Sequence, residues 1–266
     1  MESVLVPLSL LAGGLLPIQA GANAQLSKTA GSPLAATTLQ LSIGGLLLLS
    51  IAATAGSLDA LTRLPTVPWW HALGGLASAL YIVAGIVLFP RLGAVVTIGL
   101  FVAGQMFASV ALDTFGLLGI AARPFDAVTA LGSAAVLLGT VAIVRGQPSA
   151  ASAASVRGLA AWMLLAVAAG AALPAQGAVN AMLRADLAAP LAAGAVSFAV
   201  ATVAMAVVFL LAVSISDAAK PQTYSLRGMP WWGWLGGFVG ATYVVTVFMA
   251  IPQIGAAATV GLTIGG

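Results

Sequence analysis

Eight stretches of about twenty apolar residues, each long enough to cross the hydrocarbon of a bilayer, leave this chain few folds to choose from. They are read at 4–25, 34–56, 69–89, 94–115, 125–145, 158–180, 191–213 and 231–251, with a final run from 256 to the end. Charges gather between them. The chain is 61% hydrophobic and only 6% charged, too little charge for the surface of a soluble protein of this length. Short segments of alternating polarity, the mark of an outer-membrane barrel, are absent, so the spans are helices. The first run lacks a basic leader and has a counterpart in mid-chain at 158–180, so it reads as a span and not as a cleaved signal.

The counterpart is part of a longer duplication. Pro17, Gln19, Asn23 and Leu26 recur as Pro174, Gln176, Asn180 and Leu183, an offset of 157. Further on, Pro68-Trp69-Trp70 recurs as Pro230-Trp231-Trp232, Gly74-Gly75 as Gly236-Gly237, Tyr81 as Tyr243, Pro90 as Pro252 and Gly93 as Gly255, an offset of 162. The five extra residues fall in the loop 214–230. The first repeat, 1–145, holds five spans. A small-residue linker follows at 146–157, and the second repeat occupies 158–266. Because five is odd, the second repeat enters the membrane from the opposite side. The expected fold is an all-α polytopic membrane protein of two inverted five-helix repeats. By the same offset Gly266 corresponds to Gly104, so the second repeat is expected to be truncated in its fourth span, about forty residues short on the span-length rule.

Gln and Asn are costly in hydrocarbon unless something bonds them. Gln19 and Asn23 share one helix face, as do Gln176 and Asn180. Pro17 and Pro174 permit a kink beside them and are the expected hinges. One reading places the four amides around a central cavity that binds substrate. The plainer reading makes them packing glue between helices. Tyr81 and Tyr243, matched in the third span of each half, join the candidate site, and Gln105 is read as the remaining strong amide inside a span. The Trp pairs read best as an interfacial belt. Gly99, Gly104, Gly236, Gly240, Gly261 and Gly265 read as close helix-packing positions.

Other chemistry is poorly supplied. There is no cysteine, and His71, the one histidine, reads as interfacial. No metal site, cofactor or enzymatic constellation is expected. Rossmann and P-loop glycine patterns are missing, and no basic block points to nucleic acid. Asp113, at the end of the fourth span, is the one acid near the membrane interior and reads as an interfacial cap or loop residue, so a proton-driven mechanism lacks its usual midplane carboxylate. Short-loop Lys and Arg counts place the N-terminus outside.

The motif Pro17-x-Gln19-xxx-Asn23-xx-Leu26 with its repeat, Pro68-Trp69-Trp70, Pro90-Arg91-Leu92-Gly93, and Asp113-Thr114-Phe115-Gly116-Leu117 leading to Arg123-Pro124-Phe125 resemble one branch of the drug/metabolite transporter superfamily. That branch is the DUF606, or YdcZ-like, DMT family, in its fused two-repeat form. The resemblance implies five-span units that pair as antiparallel halves, placed in a bacterial cytoplasmic (inner) membrane. Related small multidrug exporters keep a glutamate on the first span. Gln19 and Gln176 stand in that neighbourhood here, so the proton/drug exchange of those exporters does not carry over. The function expected is secondary transport of a small organic solute by alternating access. The alternative is a membrane assembly protein whose amides serve packing. The expected partners are a small-molecule substrate and the lipid bilayer, with the chain acting as a monomer of two fused repeats or as a homodimer.

Overall fold

The structure, a computed structural model, describes residues 2–146, 156–216, 220–221 and 226–266. Most of the linker read at 146–157, and part of the longer loop read at 214–230, lie outside these described residues. The helices are α1 (Glu2–Gly14), α2 (Leu16–Ala30), α3 (Pro33–Thr54), α4 (Gly75–Leu92), α5 (Ala94–Phe115), α6 (Ala127–Gly146), α7 (Val156–Leu187), α8 (Pro190–Ile215), α9 (Leu235–Ile254) and α10 (Ala256–Gly265). Among the described residues there is no strand. Eight segments are long and apolar enough to cross a membrane: Ser3–Ala30, Pro33–Thr54, Trp69–Leu92, Ala94–Phe115, Ala127–Gly146, Gly158–Leu187, Pro190–Ile215 and Trp231–Ile254. They match the eight apolar runs of the sequence.

Two boundaries move. The first span reaches Ala30 and the sixth reaches Leu187, several residues past the points where hydrophobicity fades. Residues 26–30 and 181–187 are adequate helix formers, and the helix ends only where the backbone turns left-handed, at Gly31 (φ 68) and Ala188 (φ 51). The third and eighth spans open with 3-10 turns, Trp69–Gly74 and Trp231–Trp234, each after a proline.

The duplication is visible in local geometry. Pro90 and Pro252 lie in the last turns of α4 and α9. The glycines that follow, Gly93 (φ 78, ψ 154) and Gly255 (φ 92, ψ 159), make the same tight turn into the next helix, a conformation that glycine adopts without steric cost. Thr97 Oγ1 donates to the Gly93 carbonyl at 2.8 Å, and Thr259 Oγ1 donates to the Gly255 carbonyl at 2.7 Å. These two hydroxyls are thus satisfied by the carbonyl one turn back, at the start of their own helices.

The halves differ at the first proline. α1 ends at Gly14 and α2 begins at Leu16, with Leu15 between them, although Leu15 N still donates to Leu11 O and Gln19 N to Leu15 O. Pro17 has no N–H to continue the ladder. The matched Pro174 lies inside an unbroken α7.

The bundle buries polar side chains within an apolar core and also turns large apolar side chains outward. Gln40, Thr97, Gln105, Gln176, Asn180 and Thr259 are buried, while Leu11, Leu138, Leu164, Val203 and Leu210 are exposed. That departure from the soluble pattern suits a surface solvated by acyl chains. The core is built by contacts between the halves: α3 packs on α8, α5 on α7, α1 on α10, α4 on α7 and α8, and α9 on α1, α2 and α3. Leu41, Leu48, Phe198, Ala201 and Met205 form one of its apolar clusters. On the periphery α6 rests on α5, and Thr140 Oγ1 donates to the Gly99 carbonyl at 3.3 Å.

Just before α6, Asp126 Oδ1 accepts from Thr129 N at 2.8 Å. The Thr129 backbone N–H, foremost, holds this carboxyl below the ordinary carboxylate value. A group whose pKa is lowered by folding contributes stability above its unfolded pKa and loses it as pH falls through the folded one. Hydrogen-exchange protection of Thr129 is therefore expected to fall as pH drops below the ordinary Asp value of ~3.9, and Asp126→Asn is expected to remove that pH dependence.

Candidate functional site

A cavity of about 490 Å³ lies between the two halves, within the size range of small-molecule sites. Its wall is drawn from both repeats: Pro17 and Gln19 of α2, Gln40 of α3, Ser78 and Tyr81 of α4, Gln105 of α5, Pro174, Gln176 and Asn180 of α7, Tyr243 of α9 and Thr263 of α10. Of the residues singled out from the sequence, Gln19, Gln105, Gln176, Asn180, Tyr81, Tyr243, Pro17 and Pro174 all line this one space. Asn23 does not. The Trp pairs point outward, Trp69 and Trp231 being three-quarters exposed.

The matched amides make matched contacts across the interface between the halves. Asn180 Oδ1 sits against Gly74, where an added Cβ would overlap it, and Asn23 Oδ1 sits against Gly236 in the same way. Gly236 is the repeat of Gly74. Neither oxygen has a hydrogen-bond partner, and both are buried. Gln176 Oε1 accepts from Ser78 Oγ at 2.9 Å. Its repeat, Gln19, brings Nε2 to within 2.9 Å of where a Cβ on Gly240 would stand. Gly240 occupies the place of Ser78, which leaves Gln19 without that hydroxyl.

The same exchange holds for backbone contacts. Gly75 meets the Ser197 carbonyl and Gly237 meets the Gln40 carbonyl at 2.7 Å from its would-be Cβ. Gly104 meets Val167 O and Gly170 meets Phe101 O, and the repeats of these pairs are Gly266 with Leu10 O and Gly13 with Thr263 O. Each of these positions has room for hydrogen and not for a methyl group. Gly261 and Gly265, expected as packing positions, have nothing within 4 Å of an added Cβ. They lie on the open side of α10.

Gln40, Ser78 and Thr263 are polar lining residues that the sequence did not single out. Gln40 is a further strong amide inside a span, 4% exposed, and its Nε2 donates to the Gly236 carbonyl at 3.3 Å. Its isolation in an apolar run was a signal available from the sequence. Ser78 gave none, because a lone serine in a span usually bonds its own helix.

Polar contacts also tie the halves at span ends. His71, buried, bonds Asp186 through Nδ1, and Arg63 Nη1 donates to the Leu187 carbonyl at 3.2 Å. His71 is thus a tether and not merely an interfacial ring. Arg91 stacks over the Trp162 ring at 4.6 Å. Asp113 is 7% exposed, and its carboxylate accepts from the backbone of α10. It is a cap, as expected, but of a helix in the other half. Among the described residues no three His, Cys, Asp or Glu side chains are grouped to hold a metal ion.

Compared with known protein families, residues 4–142 and 161–266 match the family described as "Putative inner membrane exporter, YdcZ". No curated protein and no solved structure matches the chain.

Proposed function

The chain belongs to this family of inner-membrane exporters, as a multi-pass protein of that membrane with a transport role, and from that premise we propose that it moves a small organic solute by alternating access. In this reading the halves 1–145 and 158–266 are inverted relative to each other and rock about the cavity between them. Gln19, Gln105, Gln176, Tyr81 and Tyr243 bind the solute. The observation that carries the reading is that glutamines from both halves, with both tyrosines, line one space of about 490 Å³. The exchanged Asn–Gly and Gly–carbonyl contacts support a pseudo-twofold axis between the halves.

The amides divide by role. Asn23 and Asn180 turn their oxygens into glycine niches of the opposite half, which favours packing for that pair. The glutamines keep donors and acceptors toward the cavity. A largely apolar wall, with Leu41, Ile98, Val102, Phe198 and Val247 among its residues and amides, hydroxyls and phenols set into it, suits a neutral or zwitterionic organic solute that exchanges water for a few fixed hydrogen bonds. In this reading Pro17, beside the interruption at Leu15, is the hinge of the first half, and Pro174, inside the unbroken α7, is its counterpart in the second.

A thermal-shift screen of neutral and zwitterionic metabolites and organic cations on the detergent-solubilised protein is expected to find ligands that raise its melting temperature. Gln19→Ala and Gln176→Ala are each expected to abolish that shift, and solute uptake in proteoliposomes, while leaving melting of the unliganded protein within about 1 kcal/mol of the parent, the usual net worth of one hydrogen bond. Transport at the parental rate by the double variant would exclude this site.

A further inference from the structure

Counting crossings puts the span ends Thr54, Phe115, Leu187 and Ile254 on one face of the bundle, with the span beginnings Trp69, Ala127, Pro190 and Ala256 beside them. On that face the two halves are joined by a carboxylate. Asp113, at the end of α5, accepts from Ala256 N through Oδ1 at 2.7 Å and from Ala257 N through Oδ2 at 2.8 Å. These are the first amides of α10, which follows the Gly255 turn. Arg123 completes the arrangement: its backbone N donates to Asp113 O at 2.7 Å and its Nη2 to Gln253 O at 2.9 Å. A carboxylate on the exposed amides of a helix N-terminus makes charge-assisted bonds and meets the positive end of the helix dipole.

The position of this contact gives it a function. α5 and α10 both line the cavity, α5 through Ile98, Val102 and Gln105, and α10 through Val260 and Thr263. They belong to opposite halves, and Asp113 fastens their ends together. Any motion that opens the cavity between α5 and α10 on this face must break both bonds. We propose that Asp113 is a gating residue: while its carboxylate holds the α10 N-terminus, the cavity is sealed on the face that carries Arg63 and Arg123, and release of those two bonds opens it there. The proposal rests on the transport reading above.

The absence of cysteine makes the test direct. A single Val244→Cys reporter lies on the cavity wall, and a separate Thr62→Cys variant, in the exposed loop before the third span, identifies the gated face in sealed vesicles. In the parent, a membrane-impermeant maleimide added to that face is expected to label the reporter slowly, while membrane-permeant N-ethylmaleimide labels it readily. Asp113→Ala is expected to raise the impermeant labelling rate about tenfold or more, the shift that follows loss of a charge-assisted bond from one of two states. Ala256→Pro removes one donor from the other side of the contact, at a first-turn position where α-helices accept proline, and is expected to act in the same direction. Unchanged labelling from that face in both variants, with N-ethylmaleimide still reacting, would overturn the gate and leave the cavity standing. A reporter that N-ethylmaleimide cannot reach even in the parent would remove the aqueous cavity, and the gate with it.

Discussion

Gly104→Leu is expected to lower the stability of the detergent-solubilised protein by about 3 kcal/mol or more, the upper range for overpacking a tight interface. Gly170→Leu is expected to do the same. At both positions the obstacle is a backbone carbonyl of the facing helix, Val167 O for Gly104 and Phe101 O for Gly170. A carbonyl cannot rotate out of the way as a side chain can, so α5 and α7 must separate along their whole contact. Gly261→Leu is the control: it lies on a neighbouring apolar helix but has nothing within 4 Å of its would-be Cβ. There the loss of a helical glycine is expected to be neutral or stabilising by up to about 1 kcal/mol. Melting curves of the three variants decide the matter, and equal melting temperatures would refute the close α5–α7 contact.

The second large effect concerns the asparagine niches. Gly74→Ala is expected to cost about 1–3 kcal/mol, because the new methyl group displaces Asn180 Oδ1. Gly236→Ala is expected to cost a similar amount through Asn23. The informative quantity is the coupling. Gly74→Ala combined with Asn180→Ala should recover part of the loss, with an interaction energy of about 0.5–3 kcal/mol, as for residues in contact. Gly74→Ala combined with Asn23→Ala should be additive. The mirror pattern is expected for Gly236. Coupling of each glycine to the asparagine of its own half would contradict the exchanged arrangement, and with it the axis that the transport reading requires.

Much of this was legible in the sequence because a bilayer narrows the choices. Backbone polar groups in hydrocarbon must bond within their own segment, so an apolar run of span length reads directly as a helix. The repeat offset of Gly74-Gly75 to Gly236-Gly237 and of Tyr81 to Tyr243 then paired the positions of the two halves. What the sequence could not display was partnership across the interface. Asp113 read as a terminal acid, and nothing near it in the chain announced that its partners are the amides of residues 256 and 257. Gly236 read as a close-packing position and Gly74 only as its repeat, but neither showed that its partner is an asparagine of the other half, Asn23 for Gly236 and Asn180 for Gly74. Identical spacing around Pro17 and Pro174 gave no sign that the helix is interrupted at Leu15 in one half and runs unbroken through Pro174 in the other.

That difference at Leu15 bears on the resting protein. Two halves of identical make would render the inward- and outward-facing conformers equal in free energy when empty. In the transport reading, a helix interrupted at Leu15 in one half and an unbroken α7 in the other remove that degeneracy, since the cost of motion falls on unlike elements as the halves exchange roles. On that reading the unloaded molecule is expected to favour one conformer, and a solute approaching from the disfavoured side to meet a smaller ready fraction and bind with lower apparent affinity there. Such sidedness would belong to the empty carrier itself, before any ion gradient acts on it.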